Sequence, residues 1–189
     1  MALAHSPRIV TDDLVLCLDA GNTKSYSGSG TTWTDIVGGN TGTLTNGPAF
    51  SSDNGGSIVF DGSNDYVNAP VTKAASCTFS CWAKTTTLSG NPMLFNAGPN
   101  GSGPDLFFSN SKISWNIWDG ANNPFASTPA SVTDGNWHYY VVVNDASSNA
   151  KLYYDGELLG TATYRNASGN INLTIGGNTV TYMWNGSIS

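Results

Sequence analysis

Apolar residues along this chain come in short runs divided by turn chemistry, and no long segment repeats at the 3.6-residue spacing of a helix face. Leu14–Leu18 (LVLCL) is a continuous apolar run of strand length. Ser57–Phe60 and Asp65–Asn68 flank the turn pair Asp61-Gly62, and Thr78–Ala83 alternates large and small side chains. Leu106–Ser109 and Lys112–Ile117 predict a hairpin around Asn110-Ser111. Trp137–Val143 (WHYYVVV) is the strongest strand signal. Lys151–Tyr154 and Glu157–Ala162 flank Asp155-Gly156, a two-residue hairpin turn of the Asp-Gly type. Asn172–Ile175 leads into Gly176-Gly177. Many short strands with turn residues between them, and no helix, predict an all-β sandwich or barrel.

The length, 189 residues, is that of one domain of this class, with no internal repeat and no linker. Residues 1–13, with Pro7, read as an extended N-terminal arm, and residues 14–189 as the sandwich. Charged residues are only 11%, so Ser, Thr, Asn and Gly must make most of the surface. Such a surface hydrogen-bonds sugars or neighbouring proteins and steers little over distance. A net charge of -6 with seven Lys plus Arg and no basic cluster excludes nucleic acid as the partner. No apolar run approaches the roughly 20 residues that cross a bilayer, so membrane insertion is not expected. Met1–Arg8 lacks the basic and apolar regions of a signal peptide, so synthesis in a cytoplasm is expected. Cys77 and Cys81 fall roughly 13 Å apart on one face of one strand, too far for a disulfide between them. The three thiols read as small apolar groups.

Several segments together resemble the laminin G-like domains of the concanavalin A-like jelly-roll superfamily. They are Phe60–Val67 (FDGSNDYV), Thr78–Lys84 (TFSCWAK), Asp134–His138 (DGNWH), Leu152–Gly160 (LYYDGELLG), Leu173–Gly177 (LTIGG) and Trp184–Ile188 (WNGSI). The resemblance implies a two-sheet antiparallel jelly-roll sandwich. Ile9–Tyr26, Thr32–Ile36 and Thr43–Phe50 resemble the opening of laminin G-like proteins of tailed, especially marine, bacteriophages. That implies a non-enzymatic virion structural protein, as a capsid decoration or a tail or fibre appendage. Its partners would be other virion proteins, including repeated copies of itself, and host surface glycans. The family pattern continues past Asn185–Ile188 into a further strand beside the first, so the final strand is expected to be missing or truncated. The edge at Leu14–Leu18 would then need cover, and an intermolecular contact through Arg8, Ile9, Leu14 and Leu16 is expected.

Candidate chemistry is sparse. A glycoside hydrolase needs two facing carboxylates. The single glutamate, Glu157, follows a hairpin turn, and Asp12-Asp13 would point apart on a strand. No catalytic residue is assigned, and the main alternative to a structural role is a carbohydrate-binding module. An aromatic ring beside amide and carboxylate groups suits a sugar, which has an apolar face and a polar edge. Trp115, Trp118 and Asp105 are the candidates, although the two tryptophans could equally cover a sheet. Trp33, Phe125 and Tyr26 also fall in or near loops, whereas Trp82, Trp137 and Trp184 are expected in the core. No cofactor is required. Calcium is the ion the resemblance implies, with Asp105 as the acidic ligand and Asn178 in the second loop, where the acidic residues of the calcium-binding relatives are absent. Asp61–Asp65 reads as a tight turn whose side chains satisfy local amides. His138 reads as a satisfied structural histidine, because His5 in the arm is its only companion.

Overall fold

Branched and aromatic side chains at alternate positions build fifteen strands and no α-helix among the described residues. The computed structural model describes residues 9–97, 104–109, 112–117, 125–127, 132–145, 147, 149–163, 169–179 and 181–189. One sheet runs in the order β1 (Thr32–Thr34), β2 (Thr41–Thr45), β5 (Tyr66–Lys73), β14 (Gly169–Ile175), β7 (Met93–Asn96), β8 (Pro104–Ser109), β9 (Lys112–Ile117) and β10 (Phe125–Ser127). The other runs β13 (Glu157–Thr163), β12 (Asn149–Tyr154), β11 (His138–Asn144), β6 (Cys77–Lys84), β15 (Asn185–Ile188), β4 (Ser57–Asp61) and β3 (Ala49–Ser51). All pairings are antiparallel. This is the expected two-sheet sandwich.

The core lies between the inner faces. Along β11, Tyr140, Val142 and Asn144 are buried and their neighbours are not, the period-2 pattern of a half-buried strand. Trp33, Trp184, Phe60, Phe108, Ile113 and Trp115 fill the interior from both sheets. The Phe108 ring sits 5.3 Å from Trp184 and 5.9 Å, edge to face, from Tyr140, which joins the sheets at their centre. Full burial of each such side chain contributes about 1.5–3 kcal/mol.

The expected hairpins form. Ser109 pairs with Lys112, and Tyr154 pairs with Glu157 across Asp155-Gly156, where both φ values are positive (50° and 85°). The 61–65 turn joins β4 to β5 and so passes from one sheet to the other. β15 fits between β4 and β6 because residue 186 is glycine. A Cβ there would stand 2.2 Å from the Lys84 carbonyl oxygen.

Four expectations need correction. Leu14–Leu18 is not a strand. The Asp35 carboxylate accepts the Cys17 N–H, and the Cys17 carbonyl accepts from Ile36, so a side chain takes the place of a ladder partner. The arm is not extended throughout, since Leu14 N–H bonds the Thr11 carbonyl and Asp13 has φ 62°, which closes a turn. Trp82 is 43% exposed, because alternation along β6 turns Ala83 inward in its place. Trp33 and Tyr26 are buried, their rings packed edge to face at 6.4 Å, and therefore belong to the core. Pro7 and Asn110-Ser111 lie outside the described residues. None of the three cysteines is in a disulfide.

Candidate functional site

Three connections meet at one rim of the sandwich: the 61–65 turn, the loop from β6 to β7 and the loop from β14 to β15. They enclose a cleft of about 320 Å³ walled by Ser63, Thr87, Asn91, Thr181, Tyr182 and Asn185. Hydrogen bonds hold the three connections. Asp61 Oδ1 accepts the Ser63 N–H at 2.7 Å, and Asp65 Oδ2 accepts the Asp61 N–H at 3.1 Å. Burial raises the Asp65 pKa against the opposing pull of that Asp61 N–H. The turn is the self-satisfied one that the Asp61–Asp65 pattern predicts. Across the cleft, the Thr85 hydroxyl, with one proton to give, stands 2.8 Å from the Thr87 carbonyl oxygen and 2.5 Å from that of Asn185, tying the second loop to β15.

The third loop is pinned at both ends. Gly176 N–H bonds Leu94 O and Trp184 N–H bonds Gly176 O. Asn178 Oδ1 accepts the Thr181 N–H at 2.8 Å. Between these anchors Thr179 and Tyr182 have φ of 75° and 61°, a region that non-glycine residues rarely adopt. The Tyr182 carbonyl accepts from Met93 N–H, so β7 holds the strained residue in place. Its side chain is 43% exposed on the cleft. Tyr182 thus lies, with its backbone anchored, on a cleft of hydroxyl and amide groups whose lining carries no charged side chain.

The residues proposed from sequence lie elsewhere. Trp115 is 2% exposed and packs 5.9 Å from both Phe79 and Phe95, so it covers the sheet and offers no face to a sugar in solvent. Trp118 and Arg8 lie outside the described residues. Nothing is described of the Phe125 side chain. Asp105 is 4% exposed on β8 and accepts the Asn96 amide at 2.6 Å. Burial pushes its pKa up to about 7, against the opposing pull of Asn96 and the Ala97 N–H. Calcium needs six to eight oxygen ligands. Asp105 is a single enclosed carboxylate, and Asn178 spends its oxygen on Thr181. Among the described residues no three His, Cys, Asp or Glu side chains gather as metal ligands. The residues present do not fit a calcium ion. Ile9 is 48% exposed, while Leu14 and Leu16 are half-buried and Leu16 packs on the core. Tyr182 was missed because neither its exposure nor its backbone angle is written in the local pattern Thr181-Tyr182-Met183.

The same architecture occurs in solved structures. The binding domain of Paraclostridial mosquitocidal protein 1 aligns with a TM-score of 0.67 at 13% identity, over 92% of this chain and 46% of that one. The botulinum neurotoxin serotype D ligand-binding domain, solved in complex with N-acetylneuraminic acid, gives 0.65 at 15%, over 82% and 42%. Domains LG4-5 of the mouse laminin α1 chain give 0.51 at 17%, over 70% and 39%. The chain thus spans less than half the length of each, and these likenesses establish the fold. No curated protein matches the sequence. The model of the laminin G family within the concanavalin A-like lectin/glucanases superfamily matches residues 61–189, more than half of the chain, and the chain belongs to that family.

Proposed function

We propose that the chain is a non-enzymatic glycan-binding module carried on a bacteriophage particle, and that the cleft at Tyr182 holds the sugar. The carrying observation is exposed Tyr182, its backbone held at φ 61°, on a cleft walled by Ser63, Thr87, Asn91 and Asn185. A strained conformation persists only where its surroundings enforce it, and such residues concentrate at ligand sites. The ring offers an apolar face to a pyranose, and the surrounding amides and hydroxyls reach its edge. With no cation on the lining, the cleft favours a neutral sugar over an acidic one.

Binding without catalysis agrees with the carboxylates. Those of the turn bordering the cleft, Asp61 and Asp65, are committed to backbone amides. Glu157 stands exposed at the start of β13. The neighbouring structures are described as binding domains, which supports the same reading. A place in a virion is supported by the phage-like pattern over Ile9–Tyr26, Thr32–Ile36 and Thr43–Phe50. The test is a glycan array probed with the chain and with Tyr182→Ala. Retention of a neutral hexose by the former and its loss in the latter bears the proposal out, whereas equal binding by both removes the cleft. Peptide mass spectrometry of purified phage particles tests the carrier separately.

A further inference from the structure

Asn-Gly pairs carry a chemistry of their own, because glycine leaves its backbone nitrogen unshielded beside the asparagine side-chain amide. Four occur in this chain, Asn46-Gly47, Asn54-Gly55, Asn100-Gly101 and Asn185-Gly186, and the third lies outside the described residues. Two of the others are held. Asn46 Nδ2 donates to the Asn64 carbonyl at 2.8 Å. Asn185 Nδ2 donates to that of Asp61 at 3.3 Å, and β15 fixes its backbone between β4 and β6. Asn54 differs. It is exposed on the 53–55 turn with φ 55° and ψ 32°, and Asp53 Oδ1 accepts its backbone N–H. Among the described residues no hydrogen bond holds its side-chain amide. Gly55 follows with φ 79° and open space where a Cβ would stand, so the peptide bond between them is free to turn. The far side of the turn is tight. Gly56 is buried, and a Cβ on it would stand 2.3 Å from Gly21 Cα. One on Gly21 would stand 2.3 Å from the Gly55 carbonyl oxygen, so the two backbones touch.

We propose that Asn54 is a site of spontaneous deamidation and isomerisation, and that it converts ahead of Asn46 and Asn185 in the folded chain. The Gly55 nitrogen gives up its proton and bonds to Asn54 Cγ. The side-chain amide nitrogen leaves as ammonia, taking that proton, and a cyclic imide closes. Water then opens the imide at either carbonyl, to aspartate or to isoaspartate. The isoaspartyl link routes the backbone through the side-chain carbon and lengthens it by one carbon, about 1.5 Å. That addition falls where Gly55 and Gly56 meet Gly21, so the 19–26 turn has to give way. The bonds of that turn, Gly21 N–H to Asp19 Oδ1 and Tyr26 N–H to Asn22 O, lead to the Tyr26 ring packed on Trp33 in the core. Isomerisation at an exposed asparagine is thereby felt as a loss of stability.

The experiment incubates the whole chain at mildly alkaline pH, folded and in denaturant, and follows each Asn-Gly pair by peptide mass spectrometry. In the folded chain Asn54 should convert roughly tenfold or more faster than Asn46 and Asn185, and in denaturant the three rates should converge. The thermal midpoint should fall as isoaspartate, read by isoaspartate-specific methylation, accumulates. Asn54→Gly lacks the amide and suits the left-handed φ, so it should keep the fresh midpoint and hold it through the same incubation. Fresh Asn54→Asp carries the new charge without the extra backbone carbon and should also keep it. An intact Asn54 in the folded chain, or equal folded-state rates at the three pairs, overturns the site. A midpoint that falls equally in Asn54→Gly, or is already as low in fresh Asn54→Asp, overturns the role of backbone length.

Discussion

His138 Nδ1 stands 2.7 Å from Asp155 Oδ2, and the opposite ring nitrogen stands 3.0 Å from Asp134 Oδ1. A neutral imidazole has one N–H and serves one carboxylate, whereas the imidazolium serves both. The ring also stacks on Tyr154 at 4.8 Å, so it is fixed in orientation. Burial disfavours the charged ring, but Asp155 and Asp134 outweigh that effect and raise the pKa above its ordinary value. His138 is thus satisfied at both ring nitrogens and, as the imidazolium, clamps the 132–137 loop to the β12–β13 hairpin.

Its pH signature follows from the sign of the shift. A raised folded-state pKa contributes stability that is complete below the ordinary histidine value and is lost as pH rises through the folded one. Asp134 opposes this at the acid end. The Asn136 amides and His138 hold its pKa down to about 2, so its contribution is present above the usual carboxylate range and fades as pH falls toward 2. Thermal melts of the wild type should fall between pH 6 and 9 relative to His138→Gln. The variant should itself be less stable at pH 6 by roughly 1 kcal/mol, the size of partly solvated charge-assisted bonds. Parallel pH curves for the two proteins would remove the clamp.

Tyr182 separates strain from binding. Tyr182→Gly relieves a left-handed backbone that costs about 1 kcal/mol or more in a non-glycine residue, so urea unfolding should show stability equal to or above wild type. The same variant should lose glycan affinity at least tenfold, about 1.4 kcal/mol, by calorimetry. Loss of stability with retained affinity would count against the cleft.

Trp115 should behave as a core residue. Trp115→Ala removes a ring packed against the stacked pair Phe79 and Phe95 and should cost about 3–5 kcal/mol in chemical denaturation. Under conditions where that variant remains folded, its glycan affinity should match wild type.

Asp35 anchors the segment that replaces the expected first strand. Its carboxylate accepts from the N–H groups of Cys17, Val37 and Gly38. Burial alone would raise its pKa, but those bonds, with Asn40, hold it below the ordinary value. Its contribution is therefore present above about pH 4 and lost as pH falls through the lowered pKa. Asp35→Ala should destabilise the chain by about 2–4 kcal/mol at pH 7, with Cys17 and Ile36 amides the first to exchange by NMR.

Most of the sandwich was legible because strand signals are local. Alternation marked β6 and β11, the Asp-Gly pair marked the β12–β13 turn, and Asp61–Asp65 announced a self-satisfied loop. Met93–Asn96 escaped notice because all four of its residues are buried, which erases the alternation that identifies a strand. Leu14–Leu18 misled for the opposite reason. Its apolar run is strand-like, but a carboxylate eighteen residues away claims its backbone. The candidate site was not legible. Trp115 and Tyr182 are both aromatic, and only the register of β9 and the loop anchors decide which one faces solvent.

By itself the sequence determined the fold class, the family and the polar, weakly charged character of the surface. Periodicity, turn residues and composition act within a few positions of one another, and one chain displays them all. The tertiary structure decided which aromatics are core, where the strained tyrosine stands and that Asp105 is enclosed. Each of these depends on residues tens to a hundred positions apart meeting across two sheets, and such meetings are set by packing and register rather than by any local pattern.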